Sequence, residues 1–255
     1  MRFHGLSREL ELIWHFANHN LSARYKGSGL GFIWSFAHPC ILFFTYYVAF
    51  KFIIKTPFTE SHTVSFAFAV FYWYWIAQCL SEAPIIFLIN RHLLAKVPIK
   101  LSSLVGAAIL SQGLHFTITI LTLSIIAWVI VGSVPSILLI LTAVFFSSIF
   151  FFSVYLILGI LNVFYRDIQH LIANLITPLF FFTPVVYDFE SLKPEIKTLL
   201  FGNPLTAYTL VFKASVVRSP EILTYVILVI IWTLIFVLLA IVVVRCYRKS
   251  LLDRL

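Results

Sequence analysis

Charged residues are what this sequence has least of: they make up 11% of its 255 residues, while 61% are hydrophobic. Soluble domains average about 25% charged and about 45–50% apolar residues. A soluble fold of this length must cover its surface with polar atoms, and this chain has too few, so its composition fits lipid as solvent. There is one methionine, and the three cysteines, Cys40, Cys79 and Cys246, lie far apart in the chain. They form no C-x-x-C pair and join no His/Cys cluster at zinc spacing, so they read as small apolar packing residues. No G-x-x-x-x-G-K-[ST] segment occurs, which excludes a P-loop. A cleavable signal is also missing, because Ser7-Arg8-Glu9-Leu10-Glu11 interrupts the apolar run that one would need. No repeat of fixed period, low-complexity linker or second domain is visible.

What the chain does have is a series of apolar runs at 32–54, 64–89, 101–131, 137–165, 168–187 and 221–244. Most exceed the roughly 20 residues that span a hydrocarbon layer. The fifth is shorter and holds Pro178 and Pro184, which predicts a kinked or partly re-entrant segment. The turn Gly132-Ser133-Val134-Pro135-Ser136 makes the third and fourth runs an antiparallel hairpin. Ahead of the first run, residues 6–23 read as an amphipathic helix. Leu6, Leu10, Ile13, Ala17 and Leu21 recur at helical spacing, Ser7 serves as N-cap, and Trp14 and Phe16 suit an interface. An ordinary surface helix docked on protein has the same pattern. A glycine-rich corner from Arg24 to Gly31 follows.

The basic residues sit at the ends of the runs. Twelve of the 18 fall on one side: Arg2, Arg8, Arg24, Lys26, Arg91, Lys96, Lys100, Arg166, Arg245, Arg248, Lys249 and Arg254. The positive-inside rule makes that side cytoplasmic and puts both termini there. This placement turns the formal charge of +8 toward anionic headgroups rather than nucleic acid. Residues 188–220 fall on the outer side. Their apolar residues are broken by Gly202-Asn203-Pro204, and neither half is long enough to cross, which predicts two short helices dipping into the outer leaflet or a structured external loop. The expected fold is therefore an all-α membrane protein with six transmembrane helices, an N-terminal interface helix and short re-entrant helices before the last span. It forms one domain: interface helix and turn at 1–31, spans one to five at 32–187, the external segment at 188–220, the sixth span at 221–244 and a tail at 245–255.

Chemistry-bearing residues within the runs are sparse: Gln78, Glu82, Gln112, His115, Asn162 and Asn174. Glu82 is costly in lipid and must face protein or water; a structural ion pair with a basic residue of a cytoplasmic loop and a transport role both fit. His115 has no acid, His or Cys at metal spacing and reads as a packing residue. Arg166-Asp167 either caps two helices or seats a cytoplasmic partner. Two aromatic clusters, Phe71-Tyr72-Trp73-Tyr74-Trp75 and Phe180-Phe181-Phe182, have three readings: core packing, interfacial anchoring, or a path whose rings stack on the C–H faces of sugars.

Four segments together resemble one family, the ABC-2-type permeases that export polysaccharides such as O-antigen, capsule and teichoic acid. They are Arg24-Tyr25-Lys26-x-Ser28-x-Leu30-Gly31-x-x-Trp34-x-x-x-x-Pro39, Asn162-x-x-x-Arg166-Asp167-Ile168, Phe182-Thr183-Pro184-Val185-Val186-Tyr187 and Asn203-Pro204-Leu205. Their order and spacing cover nearly the whole chain. The resemblance implies a homodimer in the bacterial inner membrane that carries a lipid-linked polysaccharide, with O-antigen the first choice. It implies no enzyme activity and no cofactor in this chain, with ATP and Mg on a separate cytoplasmic ATPase. A channel between the subunits would be lined by Trp34, Tyr72, Trp73, Trp75, Phe180, Phe181 and Phe182. ATPase coupling would fall to Arg91, Lys96, Lys100, Arg166 and Asp167, and a periplasmic gate to Tyr187, Asn203 and Pro204. One departure stands out. Family members often carry an acid after the second span, where this chain reads Lys96-Val97-Pro98-Ile99-Lys100-Leu101. Three other readings are a permease for small lipophilic drugs, an intramembrane sugar-lipid transferase and a membrane scaffold.

Overall fold

A computed structural model describes residues 9, 11–18, 29, 31, 33–53, 59–96, 99–132, 134–251 and 254. Among these residues every regular element is a helix. The expected N-cap Ser7 and the corner residues 24–28 and Leu30 lie outside the described residues. Helix α1 covers 11–18, and α2 (Ile33–Val48) ends in a π-helical turn, Ala49–Ile53. α3 (Glu60–Glu82) starts at Thr59, whose hydroxyl accepts a bond from the His62 amide. It passes through a 3-10 turn at Pro84 into α4 (Ile86–Ile89), and α5 (Arg91–Lys96) follows. α6 (Leu101–Val131) and α7 (Ile137–Phe164) form the expected hairpin. Gly132 closes α6 at φ 70°, a left-handed cap that other residues adopt only with strain. Then come α8 (Ile168–Phe181), α9 (Pro194–Phe201), α10 (Pro204–Lys213) and α11 (Ile222–Leu251).

Five segments are long and apolar enough to cross a membrane: Phe36–Ile53, Glu60–Ile89, Leu101–Val129, Ile137–Phe164 and Ile222–Tyr247. The chain is a multi-pass membrane protein. The sixth expected span, 168–187, is helical only over the 14 residues of α8, about 21 Å at the rise of an α-helix against a core of about 30 Å. Pro178 lies inside α8, and the chain turns from Phe182 onward. Even so, this segment runs from one end of the bundle to the other. Its first turn receives a cap from Asn162 near the end of α7, and Glu190 beyond it meets Tyr225 in the first turns of α11.

Of the short pair α9–α10, the second helix is packed into the bundle. Leu205 to Phe212 are all buried, and α10 packs on α3, α7 and α11. Its start lies by Val154, Ile157 and Phe236, halfway along the long helices, and beyond its end Ser215 accepts a bond from the Ser136 amide at the start of α7. The pair is thus a hairpin whose tip, 202–205, lies about halfway along the long helices. Tyr208 anchors it there, bonding Thr233 at 2.7 Å and lying with its ring 5.0 Å from Phe150. The Glu82 carboxylate ties three helices together, accepting from Gln112 of α6 at 2.6 Å and Tyr155 of α7 at 3.2 Å. α1 lies across the start of α6, with Ile13 close to Gly106 and Glu9 paired to Lys100.

Gly159 of α7 sits where α4 packs tightly against it. A Cβ there would sit 2.8–2.9 Å from Phe87 and Ile86. Gly159→Ala is expected to force α4 away, costing about 1–3 kcal/mol and lowering the unfolding midpoint in detergent by about 2–4 °C per kcal/mol. Gly113→Ala is the control, because nothing lies within 4 Å of its added Cβ. Equal midpoints for the two variants would contradict this close packing.

Candidate functional site

The aromatic residues singled out in the sequence divide between two environments. Tyr72 and Trp75, 0% and 3% exposed, sit inside the subunit. Tyr72 bonds Ser147 and stacks on Phe212 at 4.3 Å, and Trp75 stacks on Phe116 at 4.7 Å. These rings build the core that α3, α6, α7 and α10 share. Trp34, Phe181 and Phe182 are 49%, 58% and 56% exposed on the lateral surface. Trp73 and Phe180 lie between the two groups, buried but edging a surface cleft of about 200 Å³ between α2, α3 and α8.

That cleft mixes rings with polar tips. Tyr46 stacks on Phe180 at 4.8 Å, Trp73 meets Phe180 edge-on at 5.5 Å, and the His38 and Tyr74 rings lie 5.2 Å apart. Gln78, Ser81 and Thr177 complete its wall. On the same side, α8 exposes His170, Asn174 and Thr177 along most of its length. Exposed polar side chains at that depth are costly against lipid and need water or protein over them. The opposite surfaces carry the apolar pattern that lipid requires: Ile118, Leu121, Ile125 and Val129 on α6, and Leu223, Leu234, Leu238 and Val242 on α11. The α2/α3/α8 face is therefore the functional candidate. His38, Tyr46 and Thr177 were not singled out by sequence, and Tyr74 only as one member of the aromatic run, because only tertiary packing brings three separate helices around one cleft.

At one end of the bundle, Arg91 and Lys96 are exposed on α5, Lys100 pairs with Glu9, and Arg166 and Asp167 are exposed in the turn between α7 and α8. α4 packs on α7 at Gly159, so both basic turns share this end. Asp167 occupies the N-cap position of α8 without a side-chain cap bond. The cap comes instead from Asn162, fully buried, whose Oδ1 accepts from the Gln169 amide at 3.1 Å.

At the other end, one turn is held from both ends of α10. Asn203 caps α10 through the Leu205 amide, and its Nδ2 donates to the Phe182 carbonyl and the Thr183 hydroxyl at 3.2 and 3.0 Å. Pro204 fills the first helical position, where no amide is needed. Lys213 donates to the carbonyls of Pro184 and Tyr187 at 3.0 and 3.1 Å. Segment 182–187 is thus clamped to α10 at two points. Desolvation pushes the Lys213 ammonium down to about 8, with the nearby Asp188 charge opposing the fall. At Glu190 desolvation acts upward but is outweighed by bonds from Ser219, Tyr225 and Lys197, which hold the carboxyl below its ordinary value. Among the described residues no group of three or more His, Cys, Asp or Glu is placed to hold a metal ion.

Comparison with known proteins agrees with this architecture. The family model described as ABC-2 type transporter matches residues 11–216. An O-antigen export system permease protein, RfbA, of Klebsiella pneumoniae is 28% identical over 211 residues, 81% of this chain and 80% of its own length. The protein of the same name from Myxococcus xanthus is 28% identical over 204 residues, 75% of this chain and 76% of its own.

The Lys213 clamp has a pH signature. The folded lysine gives up its proton near 8 and the unfolded one near 10.5, so between those values the unfolded state binds more protons and stability rises with pH. Wild type is expected to gain unfolding midpoint relative to Lys213→Met as pH climbs from about 8 to about 10.5. A difference that stays flat across that window would show that the lysine is not held in this desolvated position.

Proposed function

The chain belongs to the ABC-2 type transporter family, and we propose that it is the permease subunit of an exporter carrying a lipid-linked polysaccharide, an O-antigen, across the bacterial inner membrane. The observation that carries this reading is the match to two O-antigen export permeases over about four fifths and three quarters of the chain. The aromatic and polar face of α2, α3 and α8 supports it. Two copies facing each other across that surface would cover His170, Asn174 and Thr177 and enclose a path. Trp34, Trp73, Phe180, Phe181 and Phe182 would offer ring surfaces along it. Tyr72 and Trp75 would act from beneath, by fixing α3.

The energy comes from outside the chain. The sequence holds no P-loop, so ATP and Mg belong on a separate cytoplasmic ATPase, and the permease itself catalyses no reaction and needs no cofactor. The end carrying Arg91, Lys96, Lys100, Arg166 and Asp167 faces that ATPase, with both termini cytoplasmic. The α9–α10 hairpin with Tyr187, Asn203 and Pro204 lies at the periplasmic exit as its gate. A cavity of about 220 Å³, lined by Ile157, Leu179 and Phe236 among others, lies beside the hairpin tip and gives it room to move.

Deleting the gene is expected to remove O-antigen from the cell surface while lipid-linked O-antigen accumulates inside; unchanged display would refute the export role. Arg166→Ala and Asp167→Ala are expected to leave membrane insertion intact and to lower export at least about tenfold, as loss of about 1.4 kcal/mol of coupling would. Full surface display in both variants would remove those residues from the coupling surface. Phe181→Ala with Phe182→Ala is expected to slow the appearance of pulse-labelled glycan without changing the amount of assembled complex. Wild-type kinetics would return both rings to packing.

A further inference from the structure

A cavity of about 430 Å³ opens at the outer end of the bundle, within the ~300–1,000 Å³ range of small-molecule sites. It continues the lateral cleft outward along the same three elements. On α2 the step is from Tyr46 to Phe50, on α3 from Val70 to Phe66, and after α8 from Phe180 to Val185. Phe50, Phe66, Tyr187 and Tyr225 give it ring walls.

Its polar rim is partly committed. Glu190 accepts from Ser219 at 2.6 Å, from Tyr225 at 2.7 Å and from Lys197 at 3.4 Å. Lys213 has spent two of its three protons on the Pro184 and Tyr187 carbonyls. Asp188 accepts from the Glu190 amide through Oδ1. What is left over points to a ligand of mixed character. The Arg218 guanidinium, which also lines the cavity, makes no bond among the described residues. The third Lys213 proton and the second Asp188 oxygen are likewise unspent. Donors and an acceptor side by side suit hydroxyl groups, which do both, between ring walls that suit C–H faces. An acyl chain would leave these charges unpaired, and a simple anion would face Asp188 and Glu190.

We propose that this cavity is a saccharide-binding site that takes a short stretch, one or two hexose units, of the polymer as it emerges. The choice of ligand source rests on the export reading above, while the cavity's chemistry is independent of it. Binding is weak, because a tight exit site would hold each repeat and stall the chain.

The test uses purified full-length permease in nanodiscs and oligosaccharide released by mild acid from the producing cell's own surface glycan. Saturation-transfer NMR is expected to show millimolar binding to wild type. Ser65→Trp, which fills the cavity from α3, is expected to abolish it. Arg218→Ala alters an exposed side chain with no structural bond, so it should fold normally and bind roughly tenfold more weakly through loss of a charge-assisted hydrogen bond. No binding to wild type at 10 mM ligand (about the limit of the assay), or equal binding to all three proteins, would overturn the saccharide site. The gene deletion tests the export reading separately. If deletion leaves surface glycan unchanged while Ser65→Trp still abolishes binding, the site stands and export falls. If deletion strips the surface while both variants bind and export normally, export stands and the site falls.

Discussion

Backbone that turns back partway along an apolar helix bundle must find partners for its polar groups inside the protein, and the α9–α10 hairpin depends on this being met. A hairpin that turns at mid-height exposes the free amides of one helix start and the free carbonyls of one helix end to an apolar layer. Here the side chain of Asn203 caps α10, Pro204 removes one amide from the account, and the Phe201 carbonyl accepts from Trp232 at 3.3 Å. The carbonyls of the turn after α8 are served by Asn203 and Lys213. The same few side chains thus satisfy two irregular segments at once. Removing one of them would leave groups unpaired on both sides of the contact, at about 1–3 kcal/mol for each buried group.

This arrangement makes α8, the turn 182–187 and α10 a continuous piece. One end is fixed to α7 by Asn162, beside Arg166 and Asp167, and the other borders both the lateral cleft and the 430 Å³ cavity. Spatial continuity is not itself coupling. What gives it mechanical meaning is the contrast in packing. α10 is buried along its length, whereas α8 leaves residues such as Leu171, Leu175 and Phe181 exposed.

Much of the architecture is written in the sequence because lipid imposes a simple rule. A long helix must be apolar over its whole length, and five such helices are legible as apolar runs. The α6–α7 hairpin is legible from Gly132, and the hairpin dip from the break at Gly202-Asn203-Pro204. The shortness of α8 was signalled by Pro178 and Pro184, but its helical limit at Phe181 falls where Thr183 takes the carbonyls of Leu179 and Phe180 and the Tyr187 hydroxyl takes that of Phe181. The site was less legible. The dense run of aromatics from Phe71 to Trp75 looks uniform as text, yet on a helix successive side chains point around the full circle. Tyr72 and Trp75 therefore face the core while Trp73 and Tyr74 edge the cleft. Asn162 was visible as a motif residue, but its bond spans seven residues and two helices, so no local capping rule identifies it.

On the polymer path proposed above, the half-hidden state of the cleft's rings has a use. A chain of identical units that touches several platforms at once multiplies their affinities, because each later contact forms at high effective concentration. Platforms that are strong singly would therefore hold the polymer in place, as over-tight sites do in a channel. Trp73 and Phe180 are nearly buried and offer only edges to the cleft, and Tyr46 spends a face on Phe180. With apolar contact worth about 25 cal/mol per Å², a ring that shows an edge contributes far less than one that shows a face. The core packing that stiffens α3 is thus also what keeps each contact along the path weak enough for the next unit to replace it.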